Sequence, residues 1–491
     1  MLKAIRLATR MAIFALLSAS TPIATQTTPS LVSSQAAAIP DTPVGRKLRA
    51  YLEAFNSDEP ERINEFFGEK SPPSGAPSAN AGLRAATGGF DLVELQSATD
   101  NRIVAVLGER LWEGSYSQLT LEVDPLNGKI RAISLQPASA PANLPRIKRM
   151  TEGEALAALK AKLDRVAGSG DFAFSGAVRV SHNGRTVFDF VSGQADRENG
   201  IVNTSDSKFR IGSMNKMFTA VAILQLVDAG RISLNGTIGT YLRDYPNKEL
   251  ASQVTVRHLL THTGGTGDIF GPEFDQHRLG LCEHSDYVAL YGKRNAAFKP
   301  GERFAYSNFG YVLLGAIIEK VTGQSYFDYV RTHIYLPAGM TATGSLPETT
   351  HVPKRVVGYT TRGPTGPVKS GPNTDSLPCR GTSAGGGYST VGDLIRFSEA
   401  LRKNTLLNPR LLAEATRLQV AEGPYGYGFV ERQVNGTRAF GHSGGAPGMA
   451  AELMVFPELG YAIAIAVNTD SQITTRIAQF VGARLPVAGG Y

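Results

Sequence analysis

Ser213 and Lys216 stand three residues apart at the entrance of a run, Phe209 to Gly230, in which nearly every position is apolar. That spacing puts both side chains on one face of a helix, close enough to meet. A hydroxyl beside an amine is a candidate nucleophile beside a candidate base. The place adds to the chemistry, because the first turn of a helix carries backbone N–H groups with no partner inside the helix, suited to a developing negative charge. Ser213 is expected as an N-cap or first-turn residue and Gly230 as the stop. The same pair can be read without chemistry, as a cap and a lysine whose stem lies along apolar surface. However, a helix apolar on every face is buried, and an unpaired polar group inside a protein costs about 1 to 3 kcal/mol. Polar groups placed there need a use.

Two further patterns gain meaning from their context. Ser-x-x-Lys occurs as Ser205 to Lys208 and as Ser213 to Lys216, but only the second opens an apolar helix. Tyr-x-Asn occurs as Tyr245-Pro-Asn247, in a polar turn, and as Tyr306-Ser-Asn308, between Pro300-Gly-Glu-Arg-Phe304 and the apolar helix Tyr311 to Val321. His-x-Gly begins at His182, His262 and His442. The first runs into the hairpin turn Asn183-Gly184 and the second ends a helix, whereas His442-Ser-Gly444 ends a strand.

In that order and spacing, Ser213-x-x-Lys216, Tyr306-Ser-Asn308 and His442-Ser-Gly444 resemble the three active-site motifs of the serine β-lactamase and DD-peptidase superfamily. The class C β-lactamase branch is the most similar, with its peptidase and carboxylesterase relatives. Leu259-Leu-Thr-His-Thr-Gly264, Phe309 to Gly315, Leu336-Pro-Ala-Gly-Met340 and Ala384 to Thr390 support the resemblance, which covers residues 150 to 488. It implies an acyl-enzyme formed on Ser213, with Lys216 or Tyr306 accepting the hydroxyl proton. It also implies substrate contacts from Asn308, His442, Ser443 and Gly444, and an oxyanion held by the backbone N–H groups of Ser213 and Gly445. An ammonium beside a phenol is expected to lower the phenol's pKa, and desolvation to lower the amine's.

His442 departs from the pattern. Most β-lactamases carry a lysine there to receive the substrate carboxylate, and a histidine is near neutral at pH 7. Ester or peptide cleavage, by a carboxylesterase or a D-amino-acid peptidase, is therefore favoured over efficient β-lactam turnover. Two alternatives stand beside it. One is a β-lactam or peptidoglycan sensor of the same fold that acylates without turning over. The other is an α/β-hydrolase elbow at Gly381-Thr-Ser-Ala-Gly385, with Ser383, Asp393 and His442 in the right order, although Ser376 to Arg380 is a poor strand to precede it.

The elements that must hold these residues follow from patterning. Gly176 to Ser181 and Arg185 to Val191 form a hairpin around Asn183-Gly184. Further strands are expected at Tyr427 to Gln433, Arg438 to His442, Ala450 to Phe456 and Ala462 to Asn468. The stretch from 213 to about 420 reads as helices joined by Gly- and Pro-rich loops, and Ile473 to Leu485 as a closing helix. The expected fold class is α+β with αβα layering: an antiparallel sheet built from both ends of residues 151–488, flanked by helices, with a helical subdomain inserted. Ahead of it, residues 41–136 form a small α+β roll. Helices at Val44 to Phe55 and Glu59 to Phe67 lead through a loop at Ser71 to Ser78 into strands at Phe90 to Ser97, Arg102 to Gly108, Tyr116 to Val123 and Ile130 to Leu135. This roll resembles the nuclear-transport-factor-like fold, and a positioning or homodimerising role is expected of it. Residues 137–150, rich in Pro, Ala and Ser and ending in the basic cluster Arg146-Ile-Lys-Arg149, are expected to link the two.

The chain of 491 residues, with 42% hydrophobic residues and a formal charge of +7, has the composition of a globular protein of more than one domain. Its basic residues are scattered, which gives no nucleic-acid footprint. Residues 1–26 combine Lys3, Arg6 and Arg10 with the apolar run Met11 to Ala19, the grammar of a signal peptide and too short to span a bilayer. A disordered tail is expected over residues 27–40. A periplasmic or secreted protein without a transmembrane anchor follows, acting on a small-molecule ester, amide or peptide. Cys282 and Cys379 are the two cysteines. They fit one disulfide, two free thiols or an intermolecular bridge equally well, and no paired Cys or His spacing suggests a metal. No cofactor is expected.

Overall fold

The computed structural model describes residues 38–487, apart from 58, 60, 68–76, 139, 169–172, 364–365 and 422. The expected signal peptide and nearly all of the expected disordered tail lie outside the described residues.

The N-terminal part begins with α1 (Pro43–Asn56), capped by the Thr42 side chain, α2 (Glu61–Phe67) and α3 (Pro77–Thr87). The last starts inside the stretch read from sequence as a loop. Pro77 at its first position has the φ a helix needs, and the Ala-rich run behind it propagates. Strands β1 (Phe90–Ala98), β2 (Arg102–Glu109), β3 (Tyr116–Val123) and β4 (Ile130–Ala138) then form an antiparallel sheet in sequence order. Val44, Leu48, Tyr51 and Phe55 of α1 bury one side chain per turn against Ile103, Ala105, Leu107, Leu119 and Leu121. These alternate along β2 and β3, so one face of the sheet is apolar.

The rest of the chain is built on a six-stranded antiparallel sheet. After α4 (Glu152–Val166), closed by a Thr151/Glu154 capping box, come β5 (Gly176–His182) and β6 (Arg185–Ser192). The other four strands arrive from the far end of the chain: β7 (Val430–Val434), β8 (Thr437–Ala446), β9 (Met449–Phe456) and β10 (Tyr461–Val467). Their order is β7-β8-β9-β10-β5-β6. In β10, Ala462, Ala464 and Ala466 face the helices that carry the site, while Ile463, Ile465 and Val467 face α4 and the final helix (Ile473–Gly482). The strand is buried on both sides, so it reads as one apolar run. Its small face lets the helix Val391–Arg402 lie close. Within the mainly helical insertion, a hairpin pairs Tyr359–Gly363 with Gly366–Pro372, an addition to the expected helices and loops. The architecture is the expected α+β layering of an antiparallel sheet between helices.

The two parts meet through the turn after β2. Leu111 and Trp112 join the core formed with α4 and the final helix, and the Trp112 ring meets the Phe480 ring edge-on at 5.6 Å. Arg476 donates to both oxygens of Glu109, at 2.6 and 2.8 Å. The stretch read as a linker is strapped down at its end: Arg149 donates to the Leu485 carbonyl at 2.6 Å and to Thr437 Oγ1 at 2.5 Å.

Candidate active site

Ser213 lies in a single 3-10 turn, Gly212–Met214, that feeds α5 (Asn215–Asp228). It is a first-turn residue whose side chain caps neither segment, which leaves the hydroxyl available. Lys216, one turn on, is 0 % exposed. Its nitrogen lies 2.7 Å from Asn308 Oδ1, 2.6 Å from the Ala384 carbonyl oxygen and 3.2 Å from Ser213 Oγ. Burial lowers its pKa to about 7, with the Asp268 carboxylate pulling weakly the other way. Near neutral pH the group is therefore present as uncharged amine and as ammonium in comparable amounts. A neutral amine has two N–H donors and one lone pair. Two carbonyl oxygens accept N–H donors from Lys216, and in the uncharged form the lone pair is what remains to face the Ser213 hydroxyl.

Tyr306 and Asn308 come from the start of α6 (Asn308–Thr322), which the Ser307 hydroxyl caps by accepting from the Gly310 N–H. The Tyr306 hydroxyl is hydrogen-bonded to Ser213, and its ring centroid is 4.7 Å from Lys216 Nζ. Desolvation pushes the phenol's pKa up, despite that hydrogen bond. The sequence expectation was the opposite. An ammonium lowers a neighbouring phenol only while it is charged, and burial takes the charge from Lys216 first.

Asn308 is oriented by Asp268, which sequence reasoning missed. Asp268 accepts from the Asn308 backbone N–H at 3.1 Å and from Asn308 Nδ2 at 3.2 Å, which turns Asn308 Oδ1 toward Lys216. Burial raises the pKa of Asp268, opposed by the hydrogen bonds it accepts. Its setting, Thr-Gly-Gly-Thr-Gly-Asp, looks like any loop, so no local pattern could have flagged it.

The third motif lies on β8. His442 is 3 % exposed and points away from solvent. Its Nδ1–H donates to the Ser443 carbonyl at 2.5 Å, so Nε2 accepts from the Tyr425 hydroxyl at 2.8 Å. Burial, with Lys216 nearby, brings its pKa down to about 3, and the ring is neutral. Ser443 is partly exposed and Gly445 exposed. A Cβ on Gly444 would fall 1.9 Å from the Ile211 carbonyl and 2.8 Å from the Ser213 nitrogen, so only glycine lets the strand lie against the serine turn. This close approach puts the backbone N–H groups of Ser213 and Gly445 on adjoining segments.

Ser213, Lys216, Tyr306, Asn308, Gly444 and Gly445 are thus brought together. Ser383, Asp393 and His442 are not. Ser383 Oγ meets His284 Nε2, Asp393 accepts from Ala342, Thr343 and Arg396, and His442 is engaged by Tyr425, so the α/β-hydrolase alternative is corrected. The strand such an elbow needs before Ser383 is absent too, Ser376 ending a 3-10 turn and residues 377–380 being bend and coil. Cys282 and Cys379 form a disulfide, with Cα atoms 5.0 Å apart. Among the described residues no cluster of His, Cys, Asp or Glu could hold a metal ion, and no helix is long and apolar enough to cross a membrane.

Comparison with known proteins adds three relatives and a family. The Beta-lactamase family model matches residues 163–485. A penicillin-binding protein of Bacillus subtilis (strain 168) is 30% identical over 57% of this chain and 65% of its own length. Esterase EstB of Burkholderia gladioli is 29% identical over 53% of this chain and 76% of its own. The crystal structure of a penicillin binding protein from Bacillus halodurans superposes with a TM-score of 0.59 at 29% identity, covering 67% of this chain and 99% of that one. The chain spans 62 to 65% of the length of the first two curated relatives it matches.

Proposed function

This chain belongs to the beta-lactamase family, and from that membership we propose that it is an exported serine hydrolase that cleaves an ester or amide through an acyl-enzyme on Ser213. One observation carries the proposal: the buried Lys216 nitrogen donates to the Asn308 and Ala384 carbonyl oxygens and lies 3.2 Å from Ser213 Oγ, so that its uncharged form faces the serine with its lone pair. Ser213 Oγ attacks the substrate carbonyl carbon while its proton passes to Lys216 Nζ. The carbonyl oxygen, now an anion, rests on the N–H groups of Ser213 and Gly445. Losing one such donor typically costs about 2.7 to 4 kcal/mol of transition-state stabilisation. As the tetrahedral intermediate collapses, the Lys216 ammonium protonates the departing alkoxide or amine, with Tyr306 as the neighbouring hydroxyl. Water then repeats the sequence to release the acid. Asn308 and the backbone of residues 443–445 orient the substrate.

The neutral, enclosed His442 supports esters and peptides over β-lactams, because it supplies no fixed charge for a carboxylate. An esterase among the relatives is in keeping with this, and the relatives named for penicillin binding keep the sensor alternative in the test. The Cys282–Cys379 disulfide supports an oxidising compartment, periplasmic or extracellular. Residues 41–136, docked through Trp112, are assigned a positioning role as a nuclear-transport-factor-like unit, and a homodimer through their sheet would appear in sedimentation.

The decisive experiment follows a p-nitrophenyl ester, a chromogenic cephalosporin and a D-amino acid anilide with the protein and with a folded Ser213→Ala variant. Ester or anilide turnover that disappears in the variant is expected, with cephalosporin turned over slowly at most. Efficient cephalosporin hydrolysis would refute the substrate assignment. Stoichiometric, persistent β-lactam labelling of Ser213 without turnover would replace the hydrolase with a sensor.

A further inference from the structure

Behind the site lies a second grouping of the residue types that make a serine-hydrolase triad. Ser383 Oγ is 2.8 Å from His284 Nε2, and His284 Nδ1 is 3.0 Å from Glu319 Oε1. It is no active site. Ser383 and His284 are both 0 % exposed, and Ser383 Oγ donates to the Tyr311 carbonyl at 2.8 Å. A Cβ on Gly315 would fall 2.4 Å from both Ser383 Oγ and His284 Nε2, so the helix Asn308–Thr322 closes directly over the pair. No substrate carbonyl can reach this serine.

Its use is in the backbone around it. Three successive carbonyls, of Thr382, Ser383 and Ala384, accept from Asn215 Nδ2 at 3.0 Å, Thr219 Oγ1 at 2.7 Å and Lys216 Nζ at 2.6 Å. They grip the first two turns of the helix that begins beside Ser213. Gly385, Gly386 and Gly387 follow at once, a stretch with little stiffness of its own. Backbone hydrogen bonds join Gly386 to Gly212 and Ile211 to Gly387, and the Ser383 side chain pins the stretch ahead of them, through His284 and the Tyr311 carbonyl. The Cys282–Cys379 bond ties the same two segments together, two residues before His284 and four before Ser383.

We propose that Glu319, His284 and Ser383 form a buried positioning relay that fixes the Ala384 carbonyl, and through it the direction in which the Lys216 amine faces Ser213. This rests on Lys216 acting as the base proposed above. None of the three touches substrate. Each acts by holding the next, and the last holds the carbonyl that takes one of the two Lys216 donors.

The test compares Ser383→Ala, Glu319→Ala and Glu319→Gln with the unaltered protein. Kinetics of p-nitrophenyl ester hydrolysis are read together with amide hydrogen exchange over residues 380–390. Ser383→Ala is expected to lower kcat about 10- to 100-fold with KM within about threefold, since ångström-scale misplacement of a reacting group costs this much. Exchange at residues 382–386 should rise at least about tenfold, with the remaining peptides unchanged. Glu319→Ala, at the outer end of the relay, serves if Ser383→Ala does not fold, and is expected to lower kcat in the same way. Glu319→Gln, which keeps an acceptor for His284, is expected to restore most of the rate. Unchanged kcat in the folded alanine variants, or exchange that stays slow at 382–386, would overturn the relay. If the unaltered protein turns over no ester, the hydrolase proposal fails, while the exchange measurement still decides whether the relay holds the loop.

Discussion

At the scale of single residues, the site works by desolvation. Lys216 would be an ammonium in water, and enclosing it among Asn308, Ala384 and the Tyr306 ring makes neutral amine available near pH 7. In the proposed mechanism the active form is the deprotonated one, so kcat/KM for an ester is expected to rise with pH through about 7 and then level off. A pH–rate profile checks this, and an ascending limb two or more units away would contradict it. Asp268 acts one step further back. Asp268→Asn keeps the shape of the group but gives it an amide that can present a donor toward Asn308, freeing the Asn308 side chain to turn over. We expect about a 10- to 100-fold loss of kcat with little change in melting temperature. A melting temperature that collapses along with activity would make Asp268 a structural group only.

At the scale of elements, the loop that carries Ala384 is held at one end by the disulfide and in the middle by Ser383. Cys282 and Cys379 are 97 residues apart in sequence, so the bond closes a long loop and removes considerable freedom from the unfolded chain. Replacing both cysteines by serine is expected to cost about 2 to 4 kcal/mol, measured by denaturant unfolding. Stability unchanged within about 0.5 kcal/mol would mean that the bond is not formed in solution or adds nothing. Helix ends matter in the same way. The Ser307 cap starts its helix immediately after Tyr306 and so fixes where the phenol and the Asn308 amide emerge.

At the scale of the whole molecule, the N-terminal sheet is joined to the layers of the β-lactamase-family part by an apolar plug and by ion pairs of Glu109 and Glu113. Trp112 is the chain's one tryptophan, and it is 0 % exposed at that junction, with its Nε1–H donating to the Ala86 carbonyl at 2.8 Å. Its fluorescence therefore reports docking directly. Trp112→Ala is expected to destabilise the protein by about 3 to 5 kcal/mol, as for other large buried aromatics. Arg476→Leu leaves Glu109 buried without its cationic partner, with the Ser117 hydroxyl still donating to it. It should shift the Trp112 emission to the red at lower denaturant than in the unaltered protein. Emission and far-ultraviolet transitions that coincide in both proteins would show that the two parts unfold as one unit and would remove the plug as a separate event.

The sequence by itself determined what local chemistry and periodicity can carry. Ser213 and Lys216 at helical spacing, the strand runs with apolar periods of one or two, the Asn183-Gly184 hairpin and the positions of Tyr306 and Asn308 were all legible. Each depends on neighbours within a few residues. The tertiary structure decided what depends on burial and on segments far apart. It turned the expected lowering of the Tyr306 phenol into a rise, because enclosure acts on both groups and discharges the lysine first. It paired Ser383 with His284 rather than His442, chose the disulfide from three equal alternatives, and supplied Asp268 and the Ala384 carbonyl to the site. None of these has a spacing to read. Each is a contact between elements brought together by the core, where the free energy of a polar group is set by what surrounds it and not by what precedes it in the chain.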